Sequence, residues 1–241
     1  MKTCLSRVPR LLHWKASTPG IYYEGVRRWG DAFARDLGKV FEAYVGRLLR
    51  LFPSARVEPE VLYGRNRDQK SVDWFVITDE CVMLVEAKST RPTEAVRTGG
   101  PGAVDDLKRM FGKAIGQLNK SAGLVRSGAL AFAHIPNDRP LVGIVATLEN
   151  FHVVNSPFTA GWLPECDIPW RVCAASELED LSSVADVSPS RLYLDAVTDA
   201  ARPGHSLSSA LPGHTRGPNS VIDEAWDTLP WKERREDTIY T

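Results

Sequence analysis

The chain has 241 residues, enough for one sizeable α/β domain with extensions but too few for two full domains without crowding. Hydrophobic residues make up 43% and charged residues 25%, which excludes wholesale disorder and a membrane-embedded protein. The formal net charge of zero argues against a histone-like binder. No apolar run reaches the roughly 20 residues of a spanning helix and no signal core is present, so we expect a cytoplasmic protein without a membrane partner.

Charge is spread unevenly along the chain. Before Asp73, Lys and Arg outnumber Asp and Glu about two to one, whereas the segment after Glu177 leans acidic. Positive charge beside a catalytic site suits a polyanionic substrate. The four cysteines form no CxxC pair, which predicts neither a zinc site nor a disulfide framework.

The N-terminal part of the chain divides at about residue 30. Residues 1–30 show no clean period and are interpreted as an extension that packs on the core or as the trailing end of a segment that is removed. Residues 31–51 carry apolar side chains at steps of three and four, which predicts an amphipathic helix that ends before Pro53. A short strand is expected at residues 55–62.

Two apolar segments then predict a β-hairpin. Residues 71–78 and 81–88 are rich in β-branched and aromatic side chains, and only two residues separate them. Both faces of the hairpin are largely apolar, which indicates a central position in a sheet that is covered on both sides.

The rest of the chain predicts a second long helix and further short elements. The helix is expected at residues 104–125, strands at 129–134, 141–148 and 170–174, and a short helix at 176–181. Residues 201–220 are rich in Pro, Gly, Ser and His and predict a linker. The closing segment, with Trp226, Leu229 and Trp231, predicts a short terminal helix that docks on the body, on a protein partner or on a second copy.

The hairpin brings chemistry-bearing side chains together. If its turn is centred on residues 79–80, Asp73 lies directly opposite Glu86, with Cβ atoms about 4.5–5.5 Å apart on one face. Lys88 projects from the same face because side chains alternate along a strand. Two carboxylates forced together repel each other, and a bound cation or a raised pKa offsets that cost.

A carboxylate pair beside an ammonium group fits hydrolysis of a phosphodiester. Carboxylate oxygens hold Mg²⁺ or Mn²⁺, and such a metal polarises the phosphate and lowers the pKa of a bound water. Lys88 is expected to orient that water or to stabilise the developing negative charge. The backbone carbonyl of Ala87 is a further candidate ligand.

Val72 and Asp73, followed after twelve residues by Glu86, Ala87 and Lys88, resemble the signature of the PD-(D/E)xK nuclease superfamily. The order helix, three strands, helix, strand is similar to that of the superfamily as well. The resemblance implies an α/β fold with a restriction-endonuclease-like core (αβββαβ), in which helices flank a central mixed sheet. It assigns residues 31–182 to the nuclease-like domain and residues 183–241 to a C-terminal extension.

Residues 38–42 (GKVFE) and 117–120 (QLNK) look like the corresponding helices of restriction-endonuclease-like and nuclease-related (NERD-like) domains. The resemblance implies that Glu42 joins the metal site and that Gln117 lines the active face. Two positions depart from the pattern. Val72 replaces the proline of the signature, where no ligand is needed, and Ser121 stands where related RecB-like exonucleases carry a tyrosine.

The sequence therefore predicts a metal-dependent nuclease with Asp73, Glu86, Lys88 and Gln117 as catalytic residues. Its metal ligands are expected among Glu42, Asp73, Glu86 and Ala87. The resemblance favours DNA over RNA as substrate and suggests a role in defence against foreign DNA or in repair. The alternative is a catalytically inactive nuclease-like module that binds nucleic acid or a protein partner.

Overall fold

The computed structural model describes residues 18–151, 153–159, 161–199 and 207–228. Its helices are α1 (Thr18–Leu49), α2 (Glu94–Thr98), α3 (Ala103–Arg126), α4 (Ala175–Ser182), α5 (Pro189–Thr198) and α6 (Ser220–Asp227). Its strands are β1 (Arg56–Pro59), β2 (Leu62–Tyr63), β3 (Gln69–Lys70), β4 (Trp74–Ile77), β5 (Val82–Lys88), β6 (Leu141–Thr147) and β7 (Trp170–Ala174).

A five-stranded mixed sheet forms the centre of the fold. Its strand order is β1-β4-β5-β6-β7. The pairs β1–β4 and β4–β5 are antiparallel, whereas β5, β6 and β7 are mutually parallel. Strands β2 and β3 form a separate two-stranded antiparallel ribbon. The mixed α/β fold with helices flanking the sheet confirms the coarse prediction from the sequence.

Each face of the sheet is covered by its own hydrophobic cluster. One face packs against α1, α4 and α5, and its strand residues include Trp74, Met83 and Ile144. The other face packs against α3, and its strand residues include Phe75 and Leu84. Because side chains alternate along a strand, the position of a residue in β4 or β5 decides which helix layer it meets.

Helix α1 begins earlier than the sequence predicted. Residues 18–29, for which no regular element was predicted, form its first part, whereas residues 1–17 lie outside the described residues. The helix breaks at Gly30, whose φ of 57° and ψ of −143° are open to glycine and strained for other residues. A Cβ at Gly25 would lie 2.3 Å from the ring of Phe33, so the first part turns back onto the second.

The second part of α1 approaches β4 closely through Trp74. The Trp74 Nε1 donates a hydrogen bond to the carbonyl of Glu42 over 3.1 Å, and the Arg50 guanidinium lies 4.8 Å from the Trp74 ring centroid. Gly46 provides the space for this ring, since a Cβ there would lie 2.4 Å from its Cζ2 atom. This contact holds β4, the strand that begins directly after Asp73, against α1.

Gly46→Ala is expected to lower the free energy of unfolding by about 1–3 kcal/mol, because the added methyl group displaces the rigid Trp74 ring or the helix. Urea denaturation followed by circular dichroism measures the change. Gly116→Ala is the matched control, since a Cβ at this helical position meets nothing within 4 Å and should raise stability slightly. An equal gain in both variants would contradict the packing argument.

The strand predicted at residues 129–134 is wrong. The segment forms a 3-10 turn at Leu130–Phe132, with Leu130 92% exposed and Phe132 buried. Both sides of β6 are already taken by β5 and β7, so no place remains beside it for a strand that directly precedes it. The Phe132 ring instead packs edge-on against the rings of Tyr63 and Phe75.

Residues 207–220 pack on the body of the protein, which corrects the linker prediction for this part of the segment. Leu207 and Leu211 are buried in the cluster below α1. The buried Glu177 carboxylate accepts hydrogen bonds from the Ser208 N–H (3.1 Å) and hydroxyl (2.7 Å). Two buried leucines are enough to hold this polar segment on the body, because Ser208 between them is hydrogen-bonded to Glu177. The rest of the predicted linker lies outside the described residues.

The predicted terminal helix corresponds to α6, whose Asn219 side chain accepts a hydrogen bond from the Ile222 N–H. Trp226 is 51% exposed, whereas Leu229 and Trp231 lie outside the described residues. Across the described ranges, no helix combines the length and the apolarity needed to cross a bilayer.

Candidate active site

The hairpin of β4 and β5 has the register that the sequence predicted. Trp74 pairs with Val85, and the Thr78 N–H donates a hydrogen bond to the Cys81 carbonyl over 3.1 Å, which leaves Asp79 and Glu80 at the tip of the turn. Continuing this register one step beyond β4 sets Asp73 opposite Glu86. The predicted pairing of the two strands is therefore confirmed, and it brings the two carboxylates to one end of the hairpin.

Glu86 and Lys88 lie on the face of the sheet that α3 covers. They alternate along β5 with Leu84, which belongs to the cluster packed against this helix. Asp73 directly precedes β4 and reaches the same end of the hairpin, where its carboxylate contacts the Ala87 N–H. The site therefore lies where the hairpin passes beneath α3.

Glu86 is a buried carboxylate of which only one oxygen accepts a hydrogen bond. It is 1% exposed, and its Oε1 accepts a hydrogen bond from Lys88 Nζ. Its Oε2 is buried and has no hydrogen-bond partner among the described residues. Burial is the main cause that raises the pKa of Glu86 to about 7; the charge of Asp73 adds to the rise, and Lys88 opposes it.

Asp73 is anchored to the facing strand. Its Oδ2 accepts a hydrogen bond from the Ala87 N–H over 2.7 Å. Burial raises the pKa of Asp73, and the Ala87 hydrogen bond and the charge of Lys88 act against that rise. Two acidic groups with raised pKa values thus face each other, as expected for like charges that share a partly dehydrated site.

Helix α3 holds the residues that lead into Asp73. Gln117 Nε2 donates a hydrogen bond to the carbonyl of Ser71 over 3.3 Å, and Ser121 Oγ accepts one from the Val72 N–H over 3.1 Å. Ser121 is buried, so its small hydroxyl serves the backbone at the position where RecB-like exonucleases carry tyrosine. The Gln117 Oε1 is buried without a hydrogen-bond partner among the described residues.

Glu42 stands apart from the pair. It lies on α1, which covers the opposite face of the sheet. Burial raises the pKa of Glu42, and the charge of Asp73 adds to the rise, so the two carboxylates are within electrostatic reach. Yet within the described ranges no group of three or more His, Cys, Asp or Glu side chains is arranged to hold a metal ion. The structure therefore does not bring Glu42 into one ligand set with Asp73 and Glu86.

Glu60 is a site residue that the sequence did not indicate. Pro59 pairs with Trp74 across β1 and β4, and the same register one step further places Glu60 beside Asp73. The charge of Glu60 raises the pKa of both Asp73 and Glu42, and Lys70 Nζ donates a hydrogen bond to its Oε1 over 2.7 Å. Register counting from β1 would have found it, had the end of that strand been known.

Basic side chains lie on both sides of the carboxylates. Lys113, which the sequence also did not indicate, acts electrostatically on Glu86 from α3. On the other side Lys120 Nζ donates a hydrogen bond to Gln69 Oε1 over 2.9 Å, and Lys70 reaches Glu60. Positive charge therefore borders the site along the length of α3.

The donor set fits a divalent cation of the Mg²⁺ class. Two carboxylates supply hard oxygen ligands, and the orphaned Glu86 Oε2 lacks the hydrogen bond that a buried carboxylate oxygen normally has. A cation between Asp73 and Glu86 would satisfy that atom and offset their repulsion. Ala87 lies between Glu86 and Lys88 on β5, in register with Ala146 of β6.

The catalytic and metal-binding residues named from the sequence thus fall into two groups. Asp73, Glu86, Lys88 and Gln117 lie around the end of the hairpin beside α3, whereas Glu42 lies on α1 and is coupled to Asp73 and Lys88 only electrostatically. Compared with protein-family models, with curated proteins and with solved structures, the chain matches none of them.

Proposed function

We propose that this protein is a metal-dependent nuclease of the PD-(D/E)xK kind, which hydrolyses phosphodiester bonds in DNA. The observation that carries the proposal is a pair of opposed carboxylates, the half-buried Asp73 and the buried Glu86, with the Lys88 ammonium in contact with Glu86. Burying such a pair destabilises a fold, so its presence favours a functional over a structural role.

Asp73 and Glu86 would hold Mg²⁺ or Mn²⁺, with the Ala87 carbonyl as a further ligand that the resemblance suggests. Such a metal, when bound, polarises the phosphate and lowers the pKa of a water molecule. The Ala87 N–H fixes the orientation of the Asp73 carboxylate, and Gln117 and Ser121 fix the backbone that carries it.

Lys88 would supply a positive charge that is held in place at the site. Its ammonium contacts Glu86 and is 23% exposed, so it is both anchored and open to a substrate phosphate. A positioned cation stabilises the negative charge that develops on phosphate oxygens during hydrolysis. Lys70, Lys113 and Lys120 extend this positive surface along the path of a polyanion.

The topology supports the finer assignment of the fold. One helix precedes an antiparallel three-stranded unit, a second long helix follows, and β6 then pairs in parallel with β5. This is the order expected for a restriction-endonuclease-like core, with the candidate site at the end of the hairpin. The choice of DNA over RNA rests on the resemblance in sequence.

The test is cleavage of plasmid, linear and single-stranded DNA by the purified protein with Mg²⁺, with Mn²⁺ and with EDTA. We expect cleavage only with metal, and we expect Lys88→Ala to lose it. Lys108→Ala is the matched control, because Lys108 is an exposed lysine of α3 outside the site. If no substrate is cleaved under any condition while DNA is still bound, the protein is an inactive nuclease-like module and the proposal fails.

A further inference from the structure

A cleft of about 580 Å³ opens directly beside Lys88. Its walls come from the first part of α1, from the loop after β5 and from the first half of α3. The side chains that line it include Tyr22, Tyr23, Arg91, Arg109 and Lys113. The volume is large enough for one nucleotide but too small for a stacked base pair with its neighbours. The cleft is therefore continuous with the candidate active site.

The lining of the cleft is strongly cationic. Lys88, Arg91, Arg109 and Lys113 line it, and no carboxylate residue is among the described residues that do so, although Lys88 pairs with Glu86 and Arg91 with Glu149 behind the cleft wall. Lys113 is exposed and forms no ion pair within the described part of the chain. Arg109 contacts Asp106 over 2.6 Å, but it is 70% exposed, and such a surface pair exchanges readily for a phosphate. Lys113 and Arg109 are thus accessible positive charges for a nucleic-acid strand that runs from Lys88 into the cleft.

Tyr23 adds an exposed aromatic ring to this basic surface. The residue is 53% exposed, whereas Tyr22 lies under the Arg91 guanidinium at 3.6 Å from its ring centroid. The two tyrosine rings meet edge to face at 5.8 Å, and the Arg91 guanidinium lies 4.8 Å from the Tyr23 centroid. The contacts with Tyr22 and Arg91 hold Tyr23 in place while leaving half of its surface open.

An exposed ring among cations distinguishes unpaired from paired nucleic acid. The faces of bases in a duplex are covered by their neighbours, so only an unpaired base can stack on Tyr23. The positively charged side chains bind the phosphates of single-stranded and duplex nucleic acid alike. The combination of ring and charge at one edge of the catalytic site favours a strand whose bases are free.

We infer that the cleft binds an unpaired nucleotide of the DNA strand, with its base on Tyr23 and its phosphates on Lys113 and Arg109. This inference rests on the proposed function, because it names the form of DNA that the same site takes. Single strands, flaps and frayed ends are then the preferred substrates over continuous duplex.

The test is equilibrium binding of fluorescently labelled oligonucleotides in EDTA, so that no cleavage is needed. We expect tighter binding of a single strand than of the same sequence as a duplex. Tyr23→Ala should weaken single-strand binding by about tenfold to a hundredfold and leave duplex binding nearly unchanged. Tyr23→Phe should retain the wild-type affinity, because stacking needs the ring and not the hydroxyl.

Trp226→Ala is the matched control, since Trp226 is an aromatic residue of similar exposure on α6. Lys113→Ala should weaken binding of both forms and reduce its dependence on salt. Equal affinity for single strand and duplex, or single-strand affinity unchanged in Tyr23→Ala, overturns the inference. A preference for single strands without any metal-dependent cleavage would leave the inference standing and overturn the proposed function instead.

Discussion

Replacing Asp73 with asparagine is expected to reduce metal-dependent cleavage by about 10²- to 10³-fold, measured as the initial rate on the preferred DNA substrate. Asparagine has the same shape, and its side-chain oxygen can still accept the hydrogen bond from the Ala87 N–H. Only the negative charge is lost, and with it a ligand for the cation. Several kcal/mol of charge stabilisation in the transition state depend on that ligand.

Asp79→Asn is the matched control for this variant. Asp79 lies in the turn of the same hairpin, but its side chain is fully exposed and its contact with Arg139 is a surface ion pair of little energetic weight. We expect it to cleave at the wild-type rate. Residual activity of Asp73→Asn within a few-fold of the wild type would remove Asp73 from the catalytic set.

Replacing Glu86 with glutamine is expected to stabilise the metal-free protein at pH 8 by about 3 kcal/mol. The folded-state pKa of Glu86 is about 7 against an ordinary value of 4.5, and each pKa unit corresponds to about 1.4 kcal/mol. The folded protein therefore binds more protons than the unfolded chain between these values. The contribution to stability is fully present below pH 4.5 and is lost as the pH rises through 7.

Glutamine resembles the protonated form of Glu86, so its advantage should vanish near pH 4.5. Urea denaturation in EDTA at several pH values measures the difference, with the exposed Glu224→Gln as control. Added Mg²⁺ should stabilise the wild type at pH 8 and leave Glu86→Gln nearly unchanged, because the cation replaces the missing partner of the carboxylate. A wild type whose stability is the same with and without Mg²⁺ would contradict the assignment of Glu86 as a ligand.

The two predictions describe one property of the site. The carboxylate that the proposed chemistry needs is also the group that costs stability in the absence of metal. A variant that folds better and no longer cleaves is the signature of a functional residue. A residue with a purely structural role would show a loss of stability instead.

The register of the hairpin could be predicted from the sequence because local geometry determines it. A turn of two residues leaves one pairing of the flanking strands, so Asp73 and Glu86 follow by counting. The helices of residues 31–51 and 104–125 were predictable for a similar reason. A long amphipathic pattern is also a local signal, and it identifies a helix even where its exact ends are uncertain.

What could not be predicted depends on packing between distant segments. Glu60 and Lys113 reach the site through the pairing of β1 with β4 and the docking of α3, which leave no periodic signal in the sequence. The segment 129–134 has the apolar content of a strand, but β6, the strand that follows it, is already paired on both sides. Composition shows that such residues are apolar, but not whether a partner strand is available.

Helix α5 was missed although its sequence contains a start signal. Ser188 is at the N-cap position, Pro189 occupies the first turn, and buried Tyr193 and Val197 follow at a spacing of four. The Tyr193 hydroxyl donates a hydrogen bond to the carbonyl of Gly143 on β6 over 2.5 Å. This amphipathic pattern is short and adjoins a Gly- and Pro-rich segment, whose composition favours a loop.

The hairpin that carries the two proposed catalytic carboxylates also determines when their charges become costly during folding. Asp73 and Glu86 lie on the two strands of one tight hairpin, whereas α3, which packs beside them, follows only after the loop and short helix beyond β5. Contacts between residues near in sequence form faster than those that close long loops. The two carboxylates therefore meet while still hydrated and lose water only when α3 docks. We expect proton uptake to accompany that later step, so that refolding of the metal-free chain accelerates as the buffer is made more acidic.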